Sequence, residues 1–291
     1  MTNYNVFYHF PCNDGELAKV IWEMKYPKSK FYCWDHKDIN KSIKILDTLP
    51  DHIPIVFLDV CPSITLLSDK HSYIIIDHHE NAITTMKKNI ELLDKKYNII
   101  MFCDIKKSGC MLAWKYCHNT EMPNIVKYIG SKDIWDFSDI NTEPYSISYS
   151  DYLTYLDTFN PQSRLATIKI LLTQPNYHLH KVFIENGNNT IEEYRKEAVS
   201  YFNSISLSCV LINDINYNII DIKCSNSSIY KYLIEYASNN YNSDVLRILH
   251  TSDINKTYSL RSLRDNIMVD DIARFYGGNG HPKAAGYSEK L

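Results

Sequence analysis

Glycine and proline are scarce in this sequence, with 8 and 10 residues respectively among 291. Fibrous and low-complexity chains contain far more of both, so these classes are excluded. No apolar run reaches the roughly 18 residues that a transmembrane helix needs. The N-terminus also lacks the basic-then-apolar layout of a secretory signal. We therefore expect a cytoplasmic protein that does not associate with a membrane.

An excess of positive charge is also missing, because 31 Lys and Arg residues face 34 Asp and Glu residues, for a net charge of −3. Without a basic field to attract a long nucleic acid, an anionic substrate must be bound by a local site or a metal ion. The eight cysteines contain no C-x-x-C pair. This pattern indicates reduced thiols that are mostly buried as small hydrophobic side chains.

Hydrophobic residues make up 45% of the chain, which is enough for one large domain or two modest ones. In the first third, short apolar runs alternate with helical patterns such as Gly15–Tyr26 and Gly109–His118. The runs predict strands, most of them covered on both faces, at Tyr4–His9, Lys30–Trp34, Pro54–Asp59, Tyr73–Asp77 and Asn98–Cys103. This alternation predicts an α/β fold with a doubly wound, mainly parallel sheet.

The remainder of the chain predicts a helical stretch and then a second, smaller α/β domain. Residues 122–185 are mostly helical in pattern, and the polar segment Glu185–Thr190 predicts a linker before a helix through Phe202. Strand-like segments follow at Ser208–Ile212, Asn218–Ile222, Val245–His250 and Thr257–Leu260, with a helix near Ile229–Ala237. We expect a catalytic domain at 1–185, a linker helix region at 186–200 and a substrate-binding domain at 201–291.

Ionisable side chains stand at the carboxyl ends of three predicted strands. Parallel strands present these ends at one edge of the sheet, so the side chains should converge there. A residue of this kind can also simply cap a helix or turn, but burying six such groups unpaired is costly. Histidine and carboxylate ligands together suit Mn²⁺, Fe²⁺ or Zn²⁺ better than Ca²⁺. The six residues are His9, Asp14, Asp59, Asp77, His78 and His79.

A second motif is the segment Tyr276–Gly286, with the sequence YGGNGHPKAAG. Its glycines, Gly278 and Gly280 among them, allow close approach of a ligand and offer backbone N–H groups to an anion, although a plain turn is equally consistent. His281 within the segment and Arg261 upstream can both hydrogen-bond a phosphate. Trp114 and Trp135, in contrast, are expected to be core residues.

Together these motifs resemble the DHH phosphoesterase superfamily with its C-terminal DHHA1 domain. The resemblance is carried, in the family's order, by His9-x-x-Cys12-x-Asp14-Gly15, Asp59-x-x-Pro62, Asp77-His78-His79 and the glycine segment ending at Gly286. The stretches YHFPCNDGELAKVIW, KKSGCMLAWKY and YIGSKDIW also resemble a bacterial and phage subgroup of these phosphohydrolases. Members of the superfamily hydrolyse phosphodiester or phosphoanhydride bonds with two Mn²⁺ or similar ions.

The resemblance implies a role for each matching residue. Asp59 and Asp133 would bridge two divalent ions, Mn²⁺ first and Mg²⁺, Zn²⁺ or Fe²⁺ as alternatives, while Asp136 and Asp104 are alternatives to Asp133. Asp77 would orient a histidine and His79 would contact the scissile phosphate. The implied metal ligands are His9, Asp14, Asp59, His78 and Asp133, and the implied substrate-binding residues are Arg261, Gly278, Gly280 and His281.

Cys12 departs from the family's usual first motif, in which this position is the first aspartate of a D-x-D pair. A thiolate ligand at Cys12 would favour softer metals such as Zn²⁺ or Fe²⁺. Alternatively, Cys12 is only packed beside the site and does not ligate.

We therefore expect a metal-dependent phosphodiesterase whose active site lies in the interdomain cleft. Its expected substrates are short RNA or DNA oligonucleotides or linear dinucleotides, which it would cut to mononucleotides, and a homodimer is one possible assembly. The alternatives are a polyphosphate or pyrophosphate hydrolase, a cyclic-dinucleotide phosphodiesterase, and a nucleotide-binding regulator whose catalytic site has decayed.

Overall fold

The computed structural model describes residues 3–92, 97–251 and 255–290. Internal contacts divide the chain into two compact units, Met1–Asn188 and Asn189–Leu291. Each unit contains its own sheet, so the protein has an α/β fold built on one parallel sheet and one mixed sheet. Within the described residues, no helix combines the length and apolarity required to cross a membrane.

The first unit is built on a five-stranded, fully parallel sheet in the order β2-β1-β3-β4-β5. Alternate residues of its inner strands are buried on opposite faces: Val6 and Val56 contribute to one hydrophobic cluster, and Phe7 and Phe57 to the other. Both faces are therefore covered, as the apolar runs predict. The strands are β1 (Asn5–His9), β2 (Lys30–Trp34), β3 (Ile55–Leu58), β4 (Ser72–Asp77) and β5 (Asn98–Cys103).

Helices cover both faces of this sheet and then continue as a helical region. The helices are α1 (Asn13–Lys25), α2 (Ile39–Asp47), α3 (Glu80–Leu92), α4 (Gly109–Cys117), α5 (Asn124–Asp133), α6 (Thr142–Phe159), α7 (Pro161–Thr173) and α8 (Leu179–Tyr201). The cluster around Val6 contains residues of α1, α4, α5, α6 and α7, so these helices share one core with the sheet.

The second unit contains a six-stranded mixed sheet in the order β10-β11-β9-β8-β7-β6. Only β7 and β8 pair in parallel among its described strand pairs. Val245 and Leu260 share a buried cluster with Val269 and Ile272 of a short helix, which closes one face of the sheet. The elements are β6 (Ser206–Ile212), β7 (Ile215–Lys223), α9 (Tyr230–Asn240), β8 (Val245–Thr251), β9 (Asn255–Ser262), α10 (Val269–Phe275), β10 (Asn279–His281) and β11 (Ala284–Lys290).

The turn-rich conformation predicted for Glu185–Thr190 is wrong, because this segment lies inside the continuous helix α8. The boundary between the two units, after Asn188, does fall within the segment. Gly187 is there for packing: a Cβ atom at this position would stand 1.9 Å from the backbone oxygen of Pro144. The helix also begins at Leu179, well before the position that the sequence suggests. From the sequence alone, a glycine that permits close packing between helices therefore cannot be distinguished from a glycine in a turn.

Two further predictions about burial are wrong. Strand β2 is largely accessible, because it forms one edge of the sheet instead of an interior strand. Trp135 is 72% exposed, whereas Trp114 is buried as expected. Both errors concern non-local contacts, which an apolar residue type alone does not specify.

Candidate metal centre

The carboxyl ends of β1, β3 and β4 lie side by side at one edge of the parallel sheet. His9 is the last residue of β1, Asp59 follows β3 directly, and Asp77 is the last residue of β4. The expected convergence of these strand ends is confirmed, because His9 Nδ1 lies 3.3 Å from Asp59 Oδ2. His78 Nε2 lies 3.2 Å from Asp59 Oδ1.

Asp59 is the centre of the cluster, with an exposed fraction of 1%. Its backbone adopts φ +59°, a left-handed conformation that is uncommon outside glycine and is often retained at functional sites. Burial by itself would raise the pKa of Asp59, but the neighbouring His78 and His9 outweigh burial and leave this pKa below its ordinary value. The charged carboxylate is therefore maintained by its histidine neighbours.

Asp133 joins this cluster from the last residue of α5, where its Oδ2 lies 3.1 Å from His78 Nε2. Burial lowers the pKa of His78, but its contacts with Asp133 and Asp59 outweigh burial and raise the pKa to about 10. The two alternatives to Asp133 lie elsewhere in local turns. Asp136 accepts a hydrogen bond from the Ser138 backbone, and Asp104 accepts one from the Lys106 backbone.

Asp14 approaches from α1 and meets the first turn of α4. It is 1% exposed, and its two oxygens lie 3.1 and 3.2 Å from the backbone nitrogen of Cys110, which donates to them. Burial, together with the charges of Asp59 and Asp133, raises the pKa of Asp14 well above its ordinary value. A carboxylate so placed gains little from protein cations and is well suited to a metal ion.

Gly109 allows α4 to approach both carboxylates, a role that the sequence analysis did not identify. A Cβ atom here would lie 2.5 Å from Asp59 Cβ and 2.8 Å from Asp14 Oδ2. The only sequence signal is its position at the start of a predicted helix. His36, also not identified from sequence, follows the neighbouring strand β2, and its ring centroid lies 5.1 Å from that of His9.

Gly109→Ala should therefore damage the cluster more than its size suggests. We expect a loss of stability of about 1–3 kcal/mol from overpacking, because the methyl group displaces Asp59 or the first turn of α4. Manganese affinity should fall at least about tenfold, since a tenfold change corresponds to only 1.4 kcal/mol of ligand displacement. Thermal unfolding and metal titration measure the two effects. Lys115→Ala, an exposed change on the same helix, is the control, and equal metal affinity in both variants would contradict the packing role.

His79 extends from the cluster as a half-exposed side chain. Its Nδ1 lies 2.8 Å from Asp77 Oδ1, and Asp77 is fully buried. The hydrogen bond to Asp77 raises the pKa of His79, and burial opposes this increase only in part. Asp77 therefore fixes the orientation of the His79 ring and favours its protonated form, which suits a group that contacts an anion.

Cys12 precedes α1 and lies close enough to His9 and Asp59 to join the cluster. Burial, reinforced by the charge of Asp59, raises the pKa of the Cys12 thiol to about 12. A neutral thiol is a poor ligand, since metals bind the thiolate. Both roles predicted from the sequence, ligand and packed neighbour, are compatible with this position.

We expect Cys12→Ala to leave the number of bound metal ions unchanged, because the histidine and carboxylate groups of the cluster remain to hold the cations. Elemental analysis of the purified variant, compared with the wild-type protein, measures this number directly. Cys33→Ala, which removes an exposed thiol, is the control. The loss of one metal ion in Cys12→Ala alone would instead identify Cys12 as a ligand.

The chemistry of the described residues fits a divalent cation. Asp77 Oδ2 is buried without a hydrogen-bond partner, and the contact of buried Asp59 Oδ1 is the ion pair with His78 Nε2 at 3.2 Å. A single ring nitrogen on His78 faces two carboxylates and has at most one proton to share between them. Three groups of residues each offer potential ligand atoms that lie within 4.8 Å of one another. The groups are Asp59, Asp77, His78 and His79; His9, Cys12 and Asp59; and Asp14, His78 and Asp133.

The predicted substrate-binding residues all belong to the second unit. Strand pairing places His281 opposite Ala284, and Ala284 opposite Arg261, so His281 and Arg261 lie in one row on the same face of the sheet. The Arg261 guanidinium stands 5.9 Å from the centre of the Tyr230 ring. Gly280 lies within β10 and Gly278 immediately before it, so the glycine segment forms a β-hairpin instead of an extended loop.

No protein-family model matches the sequence. An uncharacterized protein of Acanthamoeba polyphaga mimivirus is 25% identical over 314 residues, which include 97% of this chain and 66% of that protein. The chain thus spans just under two thirds of this relative's length. Among solved structures, the pGpG-specific phosphodiesterase PggH from Vibrio cholerae matches with a TM-score of 0.54 and 12% identity, covering 100% of this chain and 94% of that one.

A second solved structure, an exopolyphosphatase-related protein from Bacteroides fragilis, is 15% identical with a TM-score of 0.47, covering 98% of this chain and 86% of that one. The likeness to PggH shows a shared fold.

Proposed function

We propose that this protein is a divalent-metal-dependent phosphodiesterase of the DHH type that hydrolyses short oligonucleotides or linear dinucleotides to mononucleotides. The observation that carries the proposal is the cluster at the sheet edge, where three contacts connect four side chains. His9 lies 3.3 Å from Asp59, Asp59 lies 3.2 Å from His78, and His78 lies 3.1 Å from Asp133. The fold that the chain shares with a pGpG-specific phosphodiesterase is compatible with this chemistry, and the residues at the sheet edge carry the argument.

In this proposal, His9, Asp14, Asp59, His78 and Asp133 would hold the cations, and Asp59 and Asp133 would serve both ions. Bound divalent ions would polarise the phosphate and lower the pKa of an attacking water. Asp59 presents one carboxylate oxygen to His9 and the other to His78, so both of its oxygens lie beside further candidate ligands. Mn²⁺ is the first candidate, since the ligand set combines imidazole and carboxylate groups.

His79 would act on the phosphate itself. Asp77 accepts a hydrogen bond from its Nδ1, which leaves Nε2 as the second donor of a protonated ring. A cationic ring that is half exposed beside the cluster can donate to a phosphate oxygen and stabilise the charge that develops there. Asp77 would keep the ring in this orientation, a role commonly required of histidines at metal sites.

The second unit would bind the part of the substrate that does not react. Arg261 is suited to a terminal phosphate because its guanidinium offers several parallel N–H donors. His281 would add a donor on the same face of the sheet. We therefore expect residues of the second unit to determine substrate selectivity and residues of the first unit to carry out hydrolysis.

One assay panel tests the proposal. The purified protein with Mn²⁺ is incubated with short RNA, linear dinucleotides, cyclic dinucleotides, polyphosphate and pyrophosphate, and the products are identified. Hydrolysis of short RNA or linear dinucleotides to mononucleotides is the expected result. Hydrolysis of polyphosphate or pyrophosphate alone would establish the phosphoanhydride alternative, and metal binding without hydrolysis of any substrate would establish a binding protein.

We expect His281→Ala to reduce kcat/KM for a dinucleotide at least about tenfold, which corresponds to 1.4 kcal/mol of lost binding. Binding energy from a remote group positions the substrate, so both KM and kcat can respond. Bis-p-nitrophenyl phosphate, a small generic ester, should be cut nearly as before. His250→Ala, an exposed histidine of the same unit, is the control. Equal losses on both substrates would place His281 in the chemical step or in folding.

A further inference from the structure

Trp135 differs from the other three tryptophans of the chain in being exposed. Trp22, Trp34 and Trp114 are 0%, 2% and 8% exposed, whereas Trp135 is 72% exposed. Single exposed apolar side chains are common on protein surfaces, so exposure alone assigns Trp135 no role. What distinguishes Trp135 is its position, because it follows the candidate metal ligand Asp133 by only two residues.

The backbone holds this indole outward at a cost. Trp135 has φ +59°, a left-handed conformation that glycine or asparagine adopts readily and a bulky residue rarely does. Two hydrogen bonds fix the turn, from the Trp135 nitrogen to the Lys132 oxygen at 3.2 Å and from the Asp136 nitrogen to the Ser131 oxygen at 2.8 Å. Strained conformations of this kind are retained more often at functional sites than elsewhere.

Neighbouring side chains position the ring and add a positive charge. Lys132 Nζ lies 5.0 Å from the centre of the Trp135 ring and 5.3 Å from that of Phe137. Phe137 packs edge-on against the indole, with centroids 5.9 Å apart and planes at 80°. The result is an oriented indole that is mostly open to solvent, with an ammonium group beside it.

We propose that Trp135 stacks on a nucleobase of the substrate, so that the substrate class is a nucleotide and not an inorganic phosphate polymer. The inference rests on the proposed function for the bond that is cut. Asp133 and Trp135 have Cα atoms at most about 7.6 Å apart, because each peptide step spans 3.8 Å. A base attached through its ribose to a phosphate at the cluster can therefore reach the ring. Stacking accepts every base, since each has a π-face.

Intrinsic fluorescence tests stacking without any turnover. Mn²⁺-loaded protein is titrated with 5′-GMP, 5′-AMP and inorganic phosphate, and tryptophan emission is followed. We expect both nucleotides to quench the emission and phosphate to leave it unchanged. The nucleotide-dependent quenching should vanish in Trp135→Phe, because the remaining tryptophans are buried. Unquenched wild-type protein, or quenching that persists in Trp135→Phe, would overturn the proposal.

Kinetics on a linear dinucleotide supply the second test, with variants chosen to preserve the turn. Asparagine tolerates the left-handed backbone, so Trp135→Asn removes the ring without disturbing Asp133. We expect KM to rise about tenfold in Trp135→Asn and less than about threefold in Trp135→Phe, which keeps a ring, given the usual contribution of a stacked base. Metal content should stay at the wild-type level.

Phe159→Ala, which removes another exposed aromatic ring of the first unit, is the matched control and should leave KM unchanged. An unchanged KM in Trp135→Asn, or a loss of bound metal there, would overturn stacking in favour of an inert ring or a support for Asp133. The two proposals fail separately. Absence of any phosphoester hydrolysis refutes the proposed function, whereas nucleotide quenching still decides whether Trp135 binds a base.

Discussion

Asp59→Asn is expected to reduce kcat by roughly two orders of magnitude or more, the scale of losing a group that serves two metal ions. Asp59 contacts His9 on one side and His78 on the other, so its loss removes a partner that both histidines share. The amide has nearly the same size as the carboxylate but lacks its charge. Asparagine also tolerates φ +59°, so the fold should survive the change.

Steady-state kinetics with a dinucleotide and Mn²⁺ measure this effect, with circular dichroism to verify folding. Asp51→Asn is the matched control, because Asp51 precedes the same strand but is about half exposed and pairs only loosely with Lys70 at 3.8 Å. The control should retain wild-type activity. If Asp59→Asn kept more than about a tenth of the wild-type rate, the bridging role would be wrong.

Removal of metal should abolish activity. It should also lower the stability of the protein, because the buried carboxylates then lose the cation between them. We expect EDTA to eliminate hydrolysis and added Mn²⁺ to restore it. Mn²⁺ should also stabilise the protein by about 2.7 kcal/mol when it is present at about 100 times its Kd. Full activity in excess chelator, with no metal found by elemental analysis, would refute the metal-dependent mechanism.

Asp14→Asn should have opposite effects on the stability of the metal-free protein and on its stabilisation by metal. Burial and the charges of Asp59 and Asp133 raise the pKa of Asp14, so its carboxylate destabilises the metal-free protein near neutral pH. An amide can still accept the hydrogen bond from Cys110. In EDTA, the Tm of Asp14→Asn should therefore lie above that of wild type, by about 2–4 °C for each kcal/mol of stability gained. Its further stabilisation by Mn²⁺ should be smaller than that of wild type, and a lower Tm in EDTA would contradict this account.

Much of the candidate site follows from one regularity of the sequence. His9, Asp59 and Asp77 each stand at the carboxyl end of an apolar run, and parallel strands bring such ends to one edge. The strands themselves were predictable because β1, β3 and β4 are buried on both faces and leave continuous hydrophobic runs. The inner strands of the second unit were predictable for the same reason, since Ile219 and Ile220 of β7 and Val245 and Leu246 of β8 are all buried.

Other features depend on contacts between segments that lie far apart in the chain. Gly109 permits α4 to approach Asp59, and Gly187 permits α8 to approach Pro144, but a glycine in sequence does not reveal which backbone it will meet. For Gly187 this ambiguity produced a predicted linker where the structure has a helix. His36 was not identified because the strand that it follows, β2, lies beside β1 only in the folded sheet.

The sequence by itself determined the order of strands and helices and the residue types available at the sheet edge, because burial periodicity and strand-end position are local properties. Only the tertiary structure decided which aspartate of the candidates Asp104, Asp133 and Asp136 meets His78, since this depends on where α5 ends against the sheet. It also decided that Trp135 faces solvent: an indole is equally suited to a core or a binding surface, and only packing distinguishes the two.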